Sequence, residues 1–194
     1  QPQSRDAVAA LLWPDLDQAR AHAALRSTLP ALTAHGVGWL VLERGTLAVN
    51  RAGIWVDVSE FHRLLAISRR HGHAPEDVCA QCLPLLEQAL ALYHGDFMAG
   101  FSLADSVEFD TWQTTQREAL RRELAGFLRR ASVYYAQVDA LELALDYSHR
   151  WLALDSLHEP AHRQRRRLDA DSGQRTEALR QYRECAAPLD AELA

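Results

Sequence analysis

Two seven-residue stretches decide the predicted fold: Asp139-Ala140-Leu141-Glu142-Leu143-Ala144-Leu145 and Gly173-Gln174-Arg175-Thr176-Glu177-Ala178-Leu179. They begin 34 residues apart, which is the length of a repeat unit made of two antiparallel helices. Such units bury their apolar faces against one another and leave a groove that binds another polypeptide. The repeat therefore predicts a protein whose role is recognition.

The composition predicts a folded protein of the cytoplasm. The sequence has 194 residues, of which 48% are apolar and 24% are charged, enough for one large or two small domains. No apolar run approaches the length that crosses a bilayer, and the beginning of the sequence lacks the basic-then-apolar order of a secretory signal. The 3 cysteines cannot form a disulfide framework, which favours a reducing compartment. We therefore expect no contact with membranes.

The first part of the sequence carries the pattern of two helices separated by a proline. Apolar residues recur at helical spacing over residues 4–13, Ser4 is placed to cap the start, and Pro14 ends the helix. In the second helix Asp15 can act as the N-cap, with Gln18 three residues later. Its predicted buried stripe consists of Leu25, Leu29 and Leu32.

A β-hairpin is predicted after these helices. Residues 39–44 and 47–50 have the composition of strands, and they flank Gly45-Thr46, where glycine at the first central position favours a tight turn. Two helices followed by a two-stranded ribbon is the order of elements in the back half of a winged helix-turn-helix. We therefore expect residues 1–56 to form a partial winged helix-turn-helix that lacks the sheet and helix normally in front of it.

The rest of the sequence, residues 57–194, predicts a helical domain, so the expected fold class is mainly α. Asp57 and Glu60 can form a capping box at the start of its first helix, and Ser106 can cap a helix of about thirty residues. The predicted buried positions are Phe61, Leu64, Leu65 and Ser68, then Leu83, Leu86, Leu90 and Tyr93, then Phe109, Trp112, Leu120, Leu124, Phe127, Ala131 and Tyr134. Three more helices are expected at residues 140–154, 159–171 and 174–184.

Three segments outside the repeat carry a resemblance to a known family. They are Leu11-Leu12-Trp13-Pro14-Asp15, Trp55-Val56-Asp57-Val58-Ser59-Glu60-Phe61 and Leu92-Tyr93-His94-Gly95-Asp96-Phe97-Met98-Ala99-Gly100-Phe101. Together they resemble the bacterial transcriptional activator domain. The resemblance implies that a winged helix reads DNA and that tetratricopeptide-like helical repeats mediate dimer, polymerase or partner contacts. The expected partners are therefore DNA and either a protein or a second copy of the chain.

The resemblance also implies which residues contact DNA. The recognition helix would span residues 17–35, and its outward residues would be Gln18, Arg20, His22, Arg26 and Ser27. The wing would span residues 44–51, with Arg44 or Arg51 on phosphate. An arginine on a guanine edge contributes roughly 1–3 kcal/mol of discrimination. The alternative interpretation is that Arg20 and Arg26 are ordinary surface residues.

Two features of the sequence predict weak DNA binding. Pro30 lies inside the predicted recognition helix, where a proline removes a backbone donor and costs roughly 3 kcal/mol, so we expect a kinked or short helix. The net charge of -5 gives no overall attraction to phosphate. The alternative function is therefore a protein–protein interaction module whose degenerate winged helix no longer binds DNA.

A group of metal-binding residue types lies between residues 71 and 82. His71, His73, Cys79 and Cys82 have the composition of a tetrahedral structural zinc site, and a Cys-x-x-Cys pair at a helix start can chelate one metal ion. The alternative is a solvated loop with two half-buried thiols.

The densest basic cluster consists of Arg163, Arg165, Arg166 and Arg167. A charge run on a helix is usually a solvated face, and here Ala161 and Leu168 are the expected inward residues. The other interpretation is a patch for an acidic partner or DNA, which the neighbouring Asp169 and Asp171 partly neutralise.

The sequence contains none of the common catalytic motifs. A glycine-rich phosphate loop, a Gly-x-Ser-x-Gly elbow and a His-Glu-x-x-His helix are all missing, so nucleotide hydrolysis, acyl transfer and zinc proteolysis lack their usual residues. We therefore predict a DNA-binding transcriptional regulator that is not an enzyme.

Overall fold

The structure of the chain, a computed structural model, describes residues 2–34, 38–74, 76–103 and 106–171. Within those ranges the chain forms seven α-helices and three short β-strands. The strands are β1 (Gln3–Ser4), β2 (Leu40–Leu42) and β3 (Thr46–Val49). The helices are α1 (Arg5–Leu12), α2 (Gln18–Ala34), α3 (Asp57–Ser68), α4 (Leu83–Ala91), α5 (Val107–Gln137), α6 (Leu141–Leu154) and α7 (Glu159–Asp171). The predicted mainly α fold class is confirmed.

The chain divides into two units. Unit 1 comprises Gln1–Glu60 and Gly95–Glu118, and unit 2 comprises Phe61–His94 and Ala119–Ala194. Helices α3 and α5 contribute residues to both units. Unit 1 therefore contains residues from both sides of residue 56. The domain boundary at that residue remains a prediction.

Unit 1 has a small core formed by α1, α2 and the sheet. Its buried residues are Ala9, Ala21, Leu25, Leu29 and Leu47. Ser4 caps α1 as predicted, because its hydroxyl oxygen accepts a hydrogen bond from the backbone N–H of Ala7 at 3.0 Å. Trp13 packs against the same core immediately after the last residue of α1. The predicted first helix and its N-terminal cap are therefore confirmed.

The start of α2 differs from the prediction. Asp17 rather than Asp15 lies beside the helix, and its carboxylate accepts a hydrogen bond from the backbone N–H of Arg20 at 2.9 Å. The N-cap must adjoin the first turn to reach the free N–H groups, and Asp15 lies too far from it. Leu25 and Leu29 are buried as predicted, but Leu32 is 44% exposed because the described core does not extend beyond Leu29 along this helix.

Pro30 does not shorten α2, which continues to Ala34. The proline lies on an exposed part of the helix, where water can replace the lost backbone hydrogen bond. The hydroxyl of Thr33 donates to the carbonyl oxygens of Leu29 at 3.2 Å and of Pro30 at 3.0 Å. The helix is therefore not short, and a kink at Pro30 stays a prediction.

The sheet contains the predicted hairpin and one additional strand. In the hairpin β2 pairs with β3, so that Leu42 lies opposite Leu47. Strand β1 also pairs antiparallel with β3, with Gln3 opposite Leu47, and the strand order is β1-β3-β2. Strand β1 was not predicted, because two residues are too few to show the alternation of a strand.

In unit 2 the helical periodicity predicted most of the buried positions correctly. On α3 the side chains of Phe61, Leu64, Leu65 and Ser68 are all buried. On α4 the buried residues include Leu83, Leu86 and Leu90, whereas Tyr93 follows the end of the helix and is half-buried. On α5 the buried residues of unit 2 include Leu120, Leu124, Phe127 and Ala131. These faces form the main core of the unit.

Helix α5 has 31 residues and begins at the predicted cap, where the backbone N–H of Phe109 donates to the hydroxyl of Ser106 at 3.2 Å. Its predicted inward residue Trp112 is exposed, and Tyr134 is half-buried. Neither α5 nor any other helix in the described part of the chain combines the length and the apolar character needed to cross a membrane.

Helices α6 and α7 follow α5 in the chain and contact each other. The buried hydroxyl of Ser132 donates to the carbonyl oxygen of Ala144 at 2.9 Å and so connects α5 to α6. Helix α7 has the predicted bounds, and α6 begins one residue later than predicted. The second copy of the sequence repeat and the helix predicted at 174–184 lie outside the described residues. The tetratricopeptide-like pairing therefore remains a prediction.

Candidate functional site

The four predicted metal ligands lie in the connection between α3 and α4. His71 and His73 follow the last turn of α3, where the backbone N–H of His71 still donates to the carbonyl oxygen of Ser68 at 3.3 Å. Cys79 and Cys82 form a tight turn into α4, because the backbone N–H of Cys82 donates to the carbonyl oxygen of Cys79 at 2.9 Å. This turn brings the two sulfur atoms to 3.4 Å from each other.

The ligand atoms of these four residues converge on one point. The Sγ atom of Cys82 lies 2.9 Å from Nε2 of His73 and 3.0 Å from Nδ1 of His71. The Sγ atom of Cys79 lies 3.5 Å from the same His71 nitrogen, and all four ligand atoms lie within 4.8 Å of one another. Bond lengths of a tetrahedral Cys2His2 zinc site place neighbouring ligand atoms about 3.4–3.8 Å apart. The observed separations span this range, so the residues fit a metal ion.

A hydrogen bond outside the ligand group orients His73. Its Nδ1 atom lies 2.9 Å from the carbonyl oxygen of Ala74. A carbonyl can only accept, so Nδ1 carries the proton and Nε2 presents its lone pair toward Cys82. Histidine ligands of metal sites are usually held by this kind of second hydrogen bond. The tautomer of His73 is therefore the one that a metal ion requires.

The thiols of Cys79 and Cys82 differ in their acidity. The hydrogen bond with His71 is the main cause that lowers the pKa of Cys79 to about 6, so this residue is largely thiolate at neutral pH. Burial is the main cause that raises the pKa of Cys82, whose side chain is fully buried. Thiolates are the form that binds metals. The thiol of Cys79 is therefore in the form that a metal ion would bind.

The residues predicted to contact DNA occupy different surroundings on α2. Gln18, Arg20, Arg26 and Ser27 are exposed. The guanidinium of Arg20 contacts the carboxylate of Asp17 at 3.4 Å. His22 is half-buried and its Nε2 atom lies against the carboxylate of Asp6 on α1. This contact connects α2 with α1.

The predicted wing residues both lie at the ends of the hairpin. Arg44 is exposed in the turn between β2 and β3. Arg51 is exposed at the start of a short 3-10 turn, Arg51–Gly53, which follows β3 and is capped by the side chain of Asn50. Both guanidinium groups are therefore accessible.

The arginine cluster of α7 is not uniformly solvated. Arg163 and Arg167 are exposed as predicted, but Arg165 is buried. Its Nε atom lies 3.1 Å from both carboxylate oxygens of Asp169, which is also buried. The prediction of a solvated face was wrong for Arg165. The spacing with Ala161, Leu168 and Asp169 along one helical face was the signal that could have shown this.

Three arginines that were not predicted as site residues border a cavity beside the candidate metal site of His71, His73, Cys79 and Cys82. Arg69 lies just after α3, and Arg129 and Arg130 lie on α5. The adjacent pair of basic residues on a helix was visible in the sequence, but nothing in the spacing indicated that Arg69 lies near it.

Comparison with known proteins supplies the family. Residues 56–194 match the family described as bacterial transcriptional activator domain. No curated protein matches the chain. The family consists of regulatory domains and is not a family of enzymes. Because the match covers more than half of the sequence, the chain belongs to the bacterial transcriptional activator domain family.

Proposed function

We propose that this chain is part of a DNA-binding transcriptional regulator, in which residues 1–56 contact DNA and residues 57–194 bind a protein partner or a second copy. The observation that carries the proposal is the family match over residues 56–194. The order of α1, α2 and the β2-β3 hairpin supports the partial winged helix, because this is the order of a recognition helix followed by its wing.

Arg26 is the principal candidate for a base contact. It is exposed on α2, and no ion pair holds its guanidinium among the residues that the structure describes. Arg20 is held near the start of the helix by Asp17 and is better placed for phosphate. The hydroxyl hydrogen of Ser27 is donated to the carbonyl oxygen of Ala24 at 2.8 Å, so Ser27 would act toward a base as an acceptor.

Duplex binding measured by fluorescence anisotropy at several salt concentrations tests this proposal. We expect Arg26→Gln to weaken binding by about tenfold if it contacts a base, and to lower the salt slope by about 1 if it contacts phosphate. Arg150→Gln is the matched control, because Arg150 is an exposed arginine on α6 and the substitution changes the net charge equally. Equal losses in the two variants, or no duplex binding by the unaltered chain at low salt, would contradict a role in reading DNA.

The second candidate function is a protein–protein interaction module. Three large apolar side chains of unit 2 are exposed on or next to α6: Val138, Leu143 and Leu157. Light scattering after size exclusion gives the mass of the chain as its concentration rises. Self-association that Leu143→Glu abolishes and the neighbouring Glu142→Gln leaves intact would support this candidate. A monomer with high affinity for duplex DNA would refute it.

The cofactor that we propose is a structural zinc ion held by His71, His73, Cys79 and Cys82. The convergence of their ligand atoms and the orientation of His73 support it. When bound, zinc would connect the end of α3 to the start of α4, and its binding energy would also stabilise the fold of this segment.

Metal analysis of protein prepared without a histidine tag tests the zinc proposal. We expect one zinc ion per chain, and cobalt substitution should give the intense absorption of thiolate ligation. Cys82→Ser should abolish tight binding, whereas Cys185→Ser removes the third cysteine of the sequence and should retain it. Absence of tightly bound metal, or equal loss in both variants, would leave the solvated loop as the correct interpretation.

A further inference from the structure

A cavity of about 430 Å³ lies within unit 2 beside the candidate metal site formed by His71, His73, Cys79 and Cys82. It is bordered by the end of α3, the loop that follows it, the start of α4 and the middle of α5. Cavities of about 300–1,000 Å³ are typical of small-molecule sites. The volume is therefore sufficient for a small organic ligand.

The charges around this cavity favour an anion. Arg69, Arg129 and Arg130 line it, and the exposed carboxylates of Glu76 and Asp77 line it as well. Among the described residues neither Arg129 nor Arg130 has a carboxylate within ion-pair distance, whereas Arg69 lies 3.9 Å from Glu123. Three guanidinium groups around one cavity repel one another, and an anion placed among them would remove this repulsion.

Arg130 is the arginine most affected by its surroundings. Burial, followed by the nearby charges of Arg129 and Arg69, lowers the pKa of its guanidinium. The guanidinium folds back along α5 over Gly126, where a Cβ atom would lie 3.5 Å from Nη1 of Arg130. The side chain therefore lies along the helix at the cavity.

The cavity also has an apolar wall. Val78 is half-buried and Leu86 is buried, and both side chains line the space. A ligand that uses the whole cavity therefore combines an anionic group with a small apolar part. The carboxylates of Glu76 and Asp77 disfavour a second anionic group, so a monophosphate suits the site better than a diphosphate.

We propose that this cavity binds a small organic monophosphate, with its phosphate oxygens on Arg129 and Arg130 and its organic part against Val78 and Leu86. Guanidinium groups present paired N–H donors that match phosphate oxygens, and such charge-assisted hydrogen bonds are among the strongest in proteins. This proposal does not depend on DNA binding, because the cavity residues lie outside residues 1–56. Binding of the monophosphate can therefore be measured without DNA.

Isothermal titration calorimetry with phenyl phosphate, inorganic phosphate and phenol at constant ionic strength tests the proposal. Zinc content is measured before and after each titration, so that loss of metal to phosphate is recognised. We expect saturable binding of one phenyl phosphate per chain, weaker binding of inorganic phosphate and no binding of phenol. Binding of phenol as tight as that of phenyl phosphate, or no saturable binding of phenyl phosphate, would overturn the proposal.

The arginine variants locate the site. Arg130→Gln is expected to weaken phenyl phosphate binding by at least about tenfold, as the loss of a hydrogen bond to a charged group predicts. Arg122→Gln is the control, because Arg122 is an exposed arginine of α5 that does not line the cavity. If Arg130→Gln fails to fold by circular dichroism, Arg129→Gln takes its place. Equal affinity in the cavity variant and the control would refute the assignment.

Discussion

Removal of Asp169 is expected to destabilise the chain strongly, because it leaves the charge of Arg165 buried without its partner. The side chains of Arg165 and Asp169 are 7% and 0% exposed. The two groups are four residues apart on α7, and Nε of Arg165 lies 3.1 Å from each carboxylate oxygen. Breaking a buried pair of this kind by removing one partner costs about 3–5 kcal/mol.

The expected shift in melting temperature follows from this free energy. Proteins of about 150–250 residues lose about 2–4 °C for each kcal/mol, so Asp169→Ala should lower the melting temperature by about 6–20 °C. Asp171→Ala is the control on the same helix. The pair of Arg167 and Asp171 has the same spacing, a distance of 4.0 Å and side chains that are 79% and 57% exposed. Its loss should cost at most about 0.5 kcal/mol.

Thermal and urea unfolding followed by circular dichroism measures both variants. The double variant Arg165→Met with Asp169→Leu removes both charges, and it should recover most of the stability that Asp169→Ala loses, because apolar residues of similar size replace a buried pair well. A decrease of less than about 1 kcal/mol in the unfolding free energy of Asp169→Ala would refute this reasoning, since leaving a buried charge unpaired costs about 3–5 kcal/mol. A double variant as unstable as the single one would show that shape, not charge, decides the stability.

Three further outcomes are expected. Gly126→Ala should stabilise the chain by about 0.5–1 kcal/mol in urea unfolding, because alanine is more favourable than glycine inside a helix. The new Cβ would make only an ordinary van der Waals contact with Arg130, at 3.5 Å. A loss of stability would show that the guanidinium cannot move away from the new methyl group. Ser132→Ala should cost about 1 kcal/mol in the same assay through the lost hydrogen bond to Ala144, and an unchanged midpoint would contradict this. In metal-free Cys185→Ser protein, alkylation of Cys79 should rise with pH around a midpoint near 6, whereas a midpoint near the ordinary value of 9.0 would contradict the hydrogen bond with His71. Because the folded pKa of Cys79 lies below its unfolded value, its ionisation stabilises the metal-free fold at high pH, and this contribution is lost as the pH falls toward 6.

Helical periodicity predicted the fold where an apolar face is long enough to repeat. The four buried positions of α3 and the bounds of α7 follow from this pattern. The prediction failed where the decisive fact is a neighbour from another part of the chain. Nothing in the spacing of Leu32 shows that the core ends before it, and the two residues of β1 become a strand only because β3 lies beside them.

The same distinction applies to the candidate sites. His71, His73, Cys79 and Cys82 lie close together in sequence, so their residue types alone predicted a group of side chains that could hold a metal ion. Arg69 and the pair Arg129 and Arg130 lie far apart in sequence, and only the folding of unit 2 brings them to one cavity. The burial of Arg165 was not predicted for a related reason. An arginine is expected at the surface, and its burial is tolerated here only because the carboxylate of Asp169 lies beside it.

The candidate metal site and the cavity are not independent, because His73 and Cys82 belong to both. A metal ion on these residues would fix one wall of the cavity, and it would also hold the loop that carries Glu76, Asp77 and Val78. A ligand in the cavity would in turn favour the loop conformation that binds the metal, since coupling between two binding sites acts equally in both directions. The connection between α3 and α4 is therefore the segment through which metal and phosphate would influence each other. Because this segment lies between two helices that contribute buried residues to unit 2, binding of either ligand would stabilise that unit.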